Sequence, residues 1–259
     1  MKSYDCTVIV TAYEAGKTIA NCIRSIFEQE VDDYQVLILV GYDYSKDDTF
    51  KKLVELGKEC PQWAEYRIIV NKKPNIIING CKTGRSNFLN CYKEIKGRAV
   101  LFCDCDDEWS DKKKLAHQLN YSLQTGRGSY TSMATNNASL LYNPFIFGNR
   151  IIFSSLCIPS DLLLNNLVEK VRLLDWYIVC LCYEGPGLKY INGDVKYSAK
   201  NGSWTSLSLV PRVKNTLSTA GIMLDEGGFN LLSRIGLRIY MTWLNRVLKG
   251  VENCKKISC

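Results

Sequence analysis

The chain has 259 residues, 46% of them hydrophobic and 23% charged, which fits a globular α/β domain, alone or with an appendage. No apolar run approaches the roughly 18 residues of a membrane span, so the sequence excludes a transmembrane helix. The formal net charge is +7, and residues 205–259 carry +5 of it, with eight basic residues against three acids. We therefore expect an anionic partner for this tail.

The N-terminal stretch and the cysteines both favour a cytoplasmic protein. The apolar part of MKSYDCTVIVTAYEAG is only as long as a strand and is flanked by Asp5 and Glu14, so we do not expect a signal peptide. The 12 cysteines lie in apolar runs such as LFCDC and IVCLCY, without a CxxC pair, and the chain has one histidine. Zinc sites usually combine four Cys or His ligands at close spacing. We expect reduced cysteines that pack in the core.

Strand and helix patterns alternate along the first half. Four apolar runs predict buried strands: CTVIVTA (Cys6–Ala12), YQVLILV (Tyr34–Val40), EYRIIV and AVLFCD. Helices are predicted between them, at KTIANCIRSIFEQ, around Asp48 to Lys58, and at GRSNFLNCYKEIKG, which Gly97 closes as a C-cap. This alternation predicts a mainly parallel central sheet with helices on both faces.

The second half is less regular. Helical patterns near DKKKLAHQLNYSLQTG and LLDWYIVCLCYEG frame a polar stretch from Ser129 to Asn149. From Asn230 to Gly250 the sequence predicts an amphipathic helix. Its basic stripe comprises Arg234, Arg238, Arg246 and Lys249, with Thr242 among them, and Leu231, Leu232, Ile235, Ile239, Trp243, Leu244 and Val247 cover much of the rest. Such a helix either lies on an anionic membrane surface or packs on the domain with its basic stripe in water.

Polar clusters follow three of the predicted strands, at Thr11–Glu14, Asp43–Asp47 and Asp104–Glu108. In a parallel α/β sheet, ligands bind beyond the carboxyl ends of the strands. We therefore expect the three clusters to line one crevice.

The third cluster carries four acids within five residues, directly after a buried strand. Like charges that close repel one another, so the cluster predicts a positively charged partner. Mg²⁺ or Mn²⁺ fits, because carboxylates ligate these cations and the cations bring diphosphate oxygens with them. Two alternatives stay open. One is a solvated acidic turn that caps the next helix. The other is a phosphatase of the haloacid dehalogenase type with Asp104 as nucleophile, although Glu108 stands where that family has Thr or Val.

Three motifs together resemble the family 2 glycosyltransferases of the GT-A fold: VIVTAYEAGKTIANCIRSIFEQ, VLILVGYDYSKDDT and GRAVLFCDCDDEW. The resemblance covers residues 5 to about 120 and implies a GT-A fold and an inverting, metal-dependent sugar transfer. It implies the following nucleotide-binding residues: Thr11, Ala12, Tyr13, Glu14, Asp43, Arg85, Asp104 and Cys105. Within that set Tyr13 would stack on the base, Asp43 would hydrogen-bond it, Asp104 would approach the ribose and Arg85 the diphosphate. Asp106 would ligate the metal.

A fainter resemblance covers residues 149–205, through NRIIFSSLCIPSDLL and VRLLDWYIVCLCYEG. It implies that Asp175 is the general base, which takes the proton of the acceptor hydroxyl. Leu174 replaces the family's Glu, and an apolar neighbour is expected to raise the pKa of Asp175. Ser154, Ser155 and Trp176 are candidate acceptor contacts, although an aromatic in LLDWYIV is as often part of a core.

The sequence departs from the family pattern where Val10 replaces Pro and where Gly41-Tyr42-Asp43 replaces a paired acid. The base of the donor therefore stays open, with UDP preferred. We expect a donor-binding half (1–120), an acceptor-binding half (121–205) and a basic helical extension (206–259). The predicted function is sugar transfer to a glycan or lipid-linked saccharide during surface polysaccharide synthesis, on the inner face of the cytoplasmic membrane. The alternative is a nucleotide-sugar-binding protein without turnover. We expect no nucleic acid partner.

Overall fold

The structure is a computed structural model. It describes residues 3–71, 76–78, 81–83, 85–132, 143–147, 149, 151–166, 173–191, 193–196, 209–226 and 228–257. The strands are β1 (Cys6–Ala12), β2 (Val36–Asp43), β3 (Ala64–Asn71), β4 (Ile76–Ile78), β5 (Cys81–Thr83), β6 (Ala99–Asp104), β7 (Glu108–Trp109), β8 (Gly128–Tyr130), β9 (Leu156–Pro159), β10 (Leu188–Tyr190) and β11 (Val195–Lys196). The α-helices are α1 (Ile19–Phe27), α2 (Thr49–Leu56), α3 (Arg85–Tyr92), α4 (Lys114–Thr125), α5 (Pro144–Phe147), α6 (Ser160–Asn166), α7 (Leu174–Glu184), α8 (Leu209–Glu226) and α9 (Leu231–Ile257).

Seven strands form the central sheet in the order β10-β8-β9-β6-β1-β2-β3. The pairings of β1 with β2 and β6, of β2 with β3 and of β8 with β10 are parallel. Only β9 runs antiparallel to its neighbours β6 and β8 within this sheet. The predicted mainly parallel sheet is therefore confirmed, and it continues without a break from the first half of the chain into the second.

The central strands are apolar along their whole length because both faces of the sheet are covered. All eight residues of β2 are buried. Alternate strand residues pack against α1, α2 and α4 on one face and against α3, α6 and α7 on the other. A third cluster of buried side chains joins α5, α7, α8 and α9. The C-terminal helices thus pack on the second half of the chain.

Two predicted boundaries are wrong. The third helix ends at Tyr92, so Gly97 is not its C-cap. Gly97 has a φ of +81°, and a Cβ there would lie 2.5 Å from the Asp5 backbone, which explains why glycine is required at this turn. The second strand runs to Asp43 rather than ending at Val40, because Gly41 and Tyr42 are also buried in the sheet.

The cysteines and the helices agree with two further expectations. Every cysteine that the structure describes with its surroundings is free, and all of these except Cys60 are buried. None of the helices within the described ranges is long and apolar enough to span a bilayer.

Candidate functional site

Strand register brings the first and third clusters into contact. Thr11, near the end of β1, pairs with Asp104 of β6 on one side and with Gly41 of β2 on the other. The Thr11 hydroxyl donates to Oδ1 of Asp104 over 3.3 Å. The carboxyl ends of the three central strands therefore meet at one edge of the sheet, as the crevice prediction requires.

A network around Asp47, which we call the Asp47 junction, ties the loop after β1 to the turn after β2. The Asp47 carboxylate accepts from Gly16 N at 2.9 Å, from Ser45 Oγ at 2.7 Å and from Thr49 Oγ1 at 2.7 and 2.8 Å. Thr49 Oγ1 in turn accepts from Ala15 N at 2.8 Å. Partial burial raises the pKa of Asp47, but these donors outweigh it and the pKa is lowered. Asp47 is thus a structural carboxylate.

Asp43 has a different environment, although it lies only four residues before Asp47. Its side chain is fully buried at the end of β2, and Oδ1 accepts from Asn71 Nδ2 at 2.6 Å. No group in the described part of the chain donates to Oδ2. Burial raises the pKa of Asp43 to about 6, against the opposing effect of Asn71. A ligand group with an N–H would satisfy this oxygen.

The structure explains why Gly41 and Tyr42 precede Asp43 in place of the family's paired acid. A Cβ on Gly41 would lie 2.9 Å from the backbone oxygen of Asn87 in α3, so the helix approaches the strand too closely for an acid there. The Tyr42 side chain points to the other face and its hydroxyl accepts from Ser45 N at 2.9 Å. Asn87 is fully buried, donates to the carbonyl of Ala12 over 3.2 Å, and has no donor to its Oδ1 among the described residues.

The acidic turn after β6 is held by one serine. Ser154 Oγ donates to Asp107 Oδ2 at 2.5 Å and accepts from the backbone N–H of Asp104 at 2.8 Å. Asp107 is buried, whereas Asp104 and Asp106 are partly exposed. Burial raises the pKa of Asp104 to about 8, and the charges of Asp107, Asp106 and Asp175 add to it. The turn accumulates negative charge that a cation would offset.

Helix α1 and the residues directly after it hydrogen-bond the segment that follows the acidic turn. Ser25 Oγ accepts from the backbone N–H of Trp109 at 3.0 Å, and Gln29 bonds both the carbonyl of Asp111 and the N–H of Leu115. Ser25 and Gln29 belong to the Ser-Ile-Phe-Glu-Gln segment within the first family motif. Its polar positions fix the acidic segment against α1.

A buried lysine supports the same segment from behind. The Lys114 ammonium lies 3.9 Å from the centroid of the Trp109 ring and donates to Gln118 Oε1 at 2.7 Å. The Trp109 ring N–H donates to the carbonyl of Ser154 over 3.0 Å. Burial lowers the pKa of Lys114 to about 8. Lys114, Trp109 and Ser154 thus form a continuous support beneath the acidic turn.

The residues of the acidic turn fit a hard divalent cation. Asp104 and Asp106 supply carboxylate oxygens, the ligand type that Mg²⁺ and Mn²⁺ prefer. Within the described ranges, no group of three His, Cys, Asp or Glu side chains is arranged to hold a metal ion. A cation at this turn would therefore need further oxygens, such as those of a bound diphosphate, to complete its ligands.

Asp175 lies in the first turn of α7. Asn149 Nδ2 donates to its Oδ2 at 2.7 Å. Burial raises the pKa of Asp175, in the direction expected from its apolar neighbour, while Asn149 and the backbone N–H of Trp176 oppose the shift. Its negative charge also contributes to the raised pKa of Asp104. A carboxylate with a raised pKa is suited to accept a proton.

The structure buries the side chains of several residues that the sequence indicates as contacts. Ser154 and Ser155 are fully buried; Ser154 holds the acidic turn, and Ser155 Oγ donates to Ile152 O at 2.7 Å. Trp176 is 1% exposed and donates to the carbonyl of Pro144, so neither ring face is available to a sugar. The Cys105 side chain packs in the core.

Four further residues that the sequence indicates as nucleotide contacts lie after β1, at its end and at the start of α3. Tyr13 is partly exposed and its hydroxyl donates to the exposed Glu14 at 2.8 Å; Glu14 has a φ of +46°, which marks a tight turn after β1. Ala12 is buried, so only its backbone reaches the strand end. Arg85 begins α3, but its side chain lies outside what the structure describes.

Three asparagines of the site, Asn149, Asn87 and Asn71, are not among the residues that the sequence indicates. Asn149 begins the NRIIFSS motif, which marks its position but not its role. Asn71 pairs with Asp43 in the β2–β3 register, a signal that becomes visible only once the strands are aligned.

The comparisons with known proteins agree with this geometry. The family described as glycosyl transferase family 2 matches residues 7–143. A curated relative from Escherichia coli, the UDP-Glc:alpha-D-GlcNAc-diphosphoundecaprenol beta-1,3-glucosyltransferase WfgD, is 25% identical over 171 residues. That match covers 66% of this chain and 57% of the relative's length.

Two solved structures share the fold. S. aureus TarS 1-349 in complex with UDP-GlcNAc has a TM-score of 0.62 at 16% identity, over 93% of this chain and 71% of that one. Mannosyltransferase PcManGT from Pyrobaculum calidifontis, in complex with GDP-Man and Mn2+, has a TM-score of 0.67 at 14% identity, over 99% and 76%. The predicted GT-A fold is confirmed.

Proposed function

The chain belongs to glycosyl transferase family 2, and on that basis we propose that it transfers a sugar, with inversion, from a nucleotide-diphosphate donor to a glycan or lipid-linked saccharide. The donor in this proposal is a UDP-sugar. The relative's printed name includes UDP-Glc and one neighbour was solved with UDP-GlcNAc, whereas another was solved with GDP-Man.

One observation carries the proposal: Thr11, Asp43 and Asp104 lie at the ends of adjacent strands. Asp43 keeps one oxygen without a donor in the described part of the chain, and the negative charges of Asp107, Asp106 and Asp175 raise the pKa of Asp104 beyond the effect of burial. A nucleotide diphosphate with its cation satisfies both, because its base offers an N–H and its cation offers positive charge.

Each residue has a separate role in this proposal. Tyr13 and Thr11 bind the base with Asp43, Asp104 approaches the ribose, Arg85 approaches the diphosphate, and Asp106 holds Mg²⁺ or Mn²⁺. The cation, when bound, stabilises the negative charge of the leaving diphosphate. Asp175 accepts the proton of the acceptor hydroxyl. At the same time the hydroxyl oxygen bonds to the anomeric carbon of the donor sugar, and the bond between that carbon and the diphosphate breaks. Asn149 orients Asp175 for that transfer.

The acceptor in this proposal belongs to surface polysaccharide synthesis, such as lipopolysaccharide or capsule. The relative's printed name specifies a GlcNAc joined by a diphosphate to undecaprenol, which supports a lipid-linked saccharide. We place the enzyme in the cytoplasm, peripherally on the inner face of the membrane, with residues 1–120 as the donor-binding half, 121–205 as the acceptor-binding half and 206–259 as the extension.

A transfer assay tests the proposal. Purified protein is incubated with UDP-glucose or UDP-GlcNAc, a GlcNAc-diphospho-lipid acceptor and Mn²⁺, and the product and its anomeric configuration are determined. The proposal predicts a β-linked product from an α-linked donor, lost with EDTA and restored by Mn²⁺ or Mg²⁺. Nucleotide binding without any product would support the binding protein without turnover. Phosphate trapped on Asp104 without nucleotide would support the phosphatase.

A further inference from the structure

One face of α9 presents apolar side chains to solvent. The α9 ridge, as we call it, consists of Leu231, Leu232, Ile235, Ile239 and Trp243, which are between 45% and 79% exposed. The opposite face of the same helix packs on the protein through Leu237 and Leu244, which are buried. Exposed apolar residues that recur at three- and four-residue spacing on one helix form a continuous surface.

A row of cations borders the ridge. Arg234, Arg238, Arg246 and Lys249 are all exposed or partly exposed and follow one another at intervals of four, eight and three residues. Glu252 is the single acid in the α9 sequence. A helix with an apolar strip beside a basic strip matches the interface of an anionic lipid bilayer, which offers acyl chains beside phosphate groups.

Aromatic rings connect the ridge to the proposed general base. Trp243 stacks on Tyr240, with ring centroids 6.0 Å apart and planes at 17°. Tyr240 meets Trp176 edge-on at 5.7 Å, and Trp176 directly follows Asp175 in α7. Two ring contacts therefore separate an exposed tryptophan from the residue beside Asp175.

Helix α5 reinforces this connection. A Cβ on Gly236 of α9 would lie 3.2 Å from Ile146 and 3.4 Å from Phe145, so α5 packs closely on α9. The Trp176 ring N–H donates to Pro144 of α5. Helix α9 is thus packed against the elements on either side of Asn149 and Asp175.

We propose that the α9 ridge and its basic row dock on an anionic lipid surface, and that the packing of Trp243, Tyr240 and Trp176 holds the Asp175 side of the crevice beside that surface. The lipid-linked saccharide is then presented to Asp175 from the bilayer in which its lipid is anchored. This inference rests on the proposed function for its acceptor. It also explains why Trp176 is buried: its ring packs against α9 rather than binding sugar, and the residue beside it is Asp175.

Vesicle co-sedimentation of the full chain tests the proposal. Vesicles of phosphatidylcholine alone are compared with vesicles that also contain phosphatidylglycerol. We expect binding to the anionic vesicles, weakened by added salt. Ile239→Ser with Trp243→Ser should weaken it about tenfold or more, and each of Arg238→Gln and Arg246→Gln about fivefold.

Matched controls come from α2. Val54 is 47% exposed, and Val54→Ser should leave vesicle binding unchanged, as should Lys51→Gln on the same helix. In parallel, UDP with Mn²⁺ is titrated in a thermal-shift assay on every variant. The ridge variants should keep the wild-type nucleotide response, because the ridge lies outside the donor crevice.

Three outcomes would overturn the proposal: no binding to either vesicle, equal binding to neutral and anionic vesicles, or a dimer in solution that the ridge variant abolishes. A failure of the proposed function can be told apart from a failure of this inference. If the protein binds vesicles through the ridge but shows no nucleotide response, the proposed donor site is contradicted and the docking surface is still supported.

Discussion

Asp43 and Asp47 belong to one short turn, yet their surroundings assign them to different tasks. Asp47 is surrounded by donors from the loop after β1 and from its own turn, and its pKa is lowered. Asp43 is more deeply buried, has an oxygen without a donor among the described residues, and has a raised pKa. The comparison teaches that a satisfied carboxylate maintains the fold, whereas a buried and incompletely satisfied one is available to a ligand.

The largest expected effect is on the transfer rate, and it concerns a third carboxylate, that of Asp175. Asp175→Asn should lower the transfer rate by about 10²- to 10⁴-fold, because an amide cannot accept the acceptor's proton. The dissociation constant of UDP should change far less than the transfer rate, because in the proposal Asp175 acts on the acceptor hydroxyl and not on the nucleotide. A variant with the wild-type transfer rate would contradict the role of Asp175 as base.

Asp47→Asn should destabilise the folded protein, as expected for a carboxylate that maintains the fold. The amide cannot accept all the donors that meet at the Asp47 junction. Since Asp47 is exposed and water can replace part of what is lost, the free energy of unfolding should fall by about 0.5–1.5 kcal/mol at pH 7. The folded-state pKa of Asp47 is lowered, so its contribution to stability is present above about pH 4 and is lost as the pH falls further. Urea unfolding at several pH values measures both effects.

Asp43→Asn should change stability in the opposite direction from Asp47→Asn. The pKa of Asp43 is raised to about 6, so the folded protein loses stability as the pH rises from about 4 to 6. The asparagine removes this loss, and we expect a gain of about 1–2 kcal/mol at pH 7, after allowance for the lost charge-assisted hydrogen bond from Asn71. Nucleotide binding should weaken about tenfold at the same time. A less stable variant with unchanged affinity would contradict the comparison.

The smallest effect concerns the pH dependence of transfer. Asn149→Ala removes a donor that lowers the pKa of Asp175, so that pKa should rise further. Since the base must be ionised, the acidic limb of the profile of kcat against pH should move to higher pH. A fall in kcat without any movement of that limb would assign Asn149 to folding alone.

The positions of the residues at the strand ends were easier to predict than those in the second half of the chain, for a physical reason. A buried strand ends where its apolar run ends, so the pattern of residues alone places Thr11 and Asp104 at the sheet edge. Ser154 and Trp176 lie in segments where apolar and polar residues mix, and their partners, Asp107 and Pro144, are distant in sequence. Which side of such a segment faces the core depends on the packing of α5, α7 and α9, which local patterns do not encode.

A thermal-shift titration with UDP, GDP, dTDP and CDP, each with and without Mn²⁺, tests the central claim most directly, because a ligand of the folded state raises the melting temperature by mass action. The account predicts a rise with UDP that requires Mn²⁺ and disappears in Asp106→Asn, whose unfolding in the absence of ligand resembles that of the wild type. The absence of a rise with every nucleotide, in the presence of Mn²⁺, would contradict the donor site and leave the acidic cluster as a solvated turn.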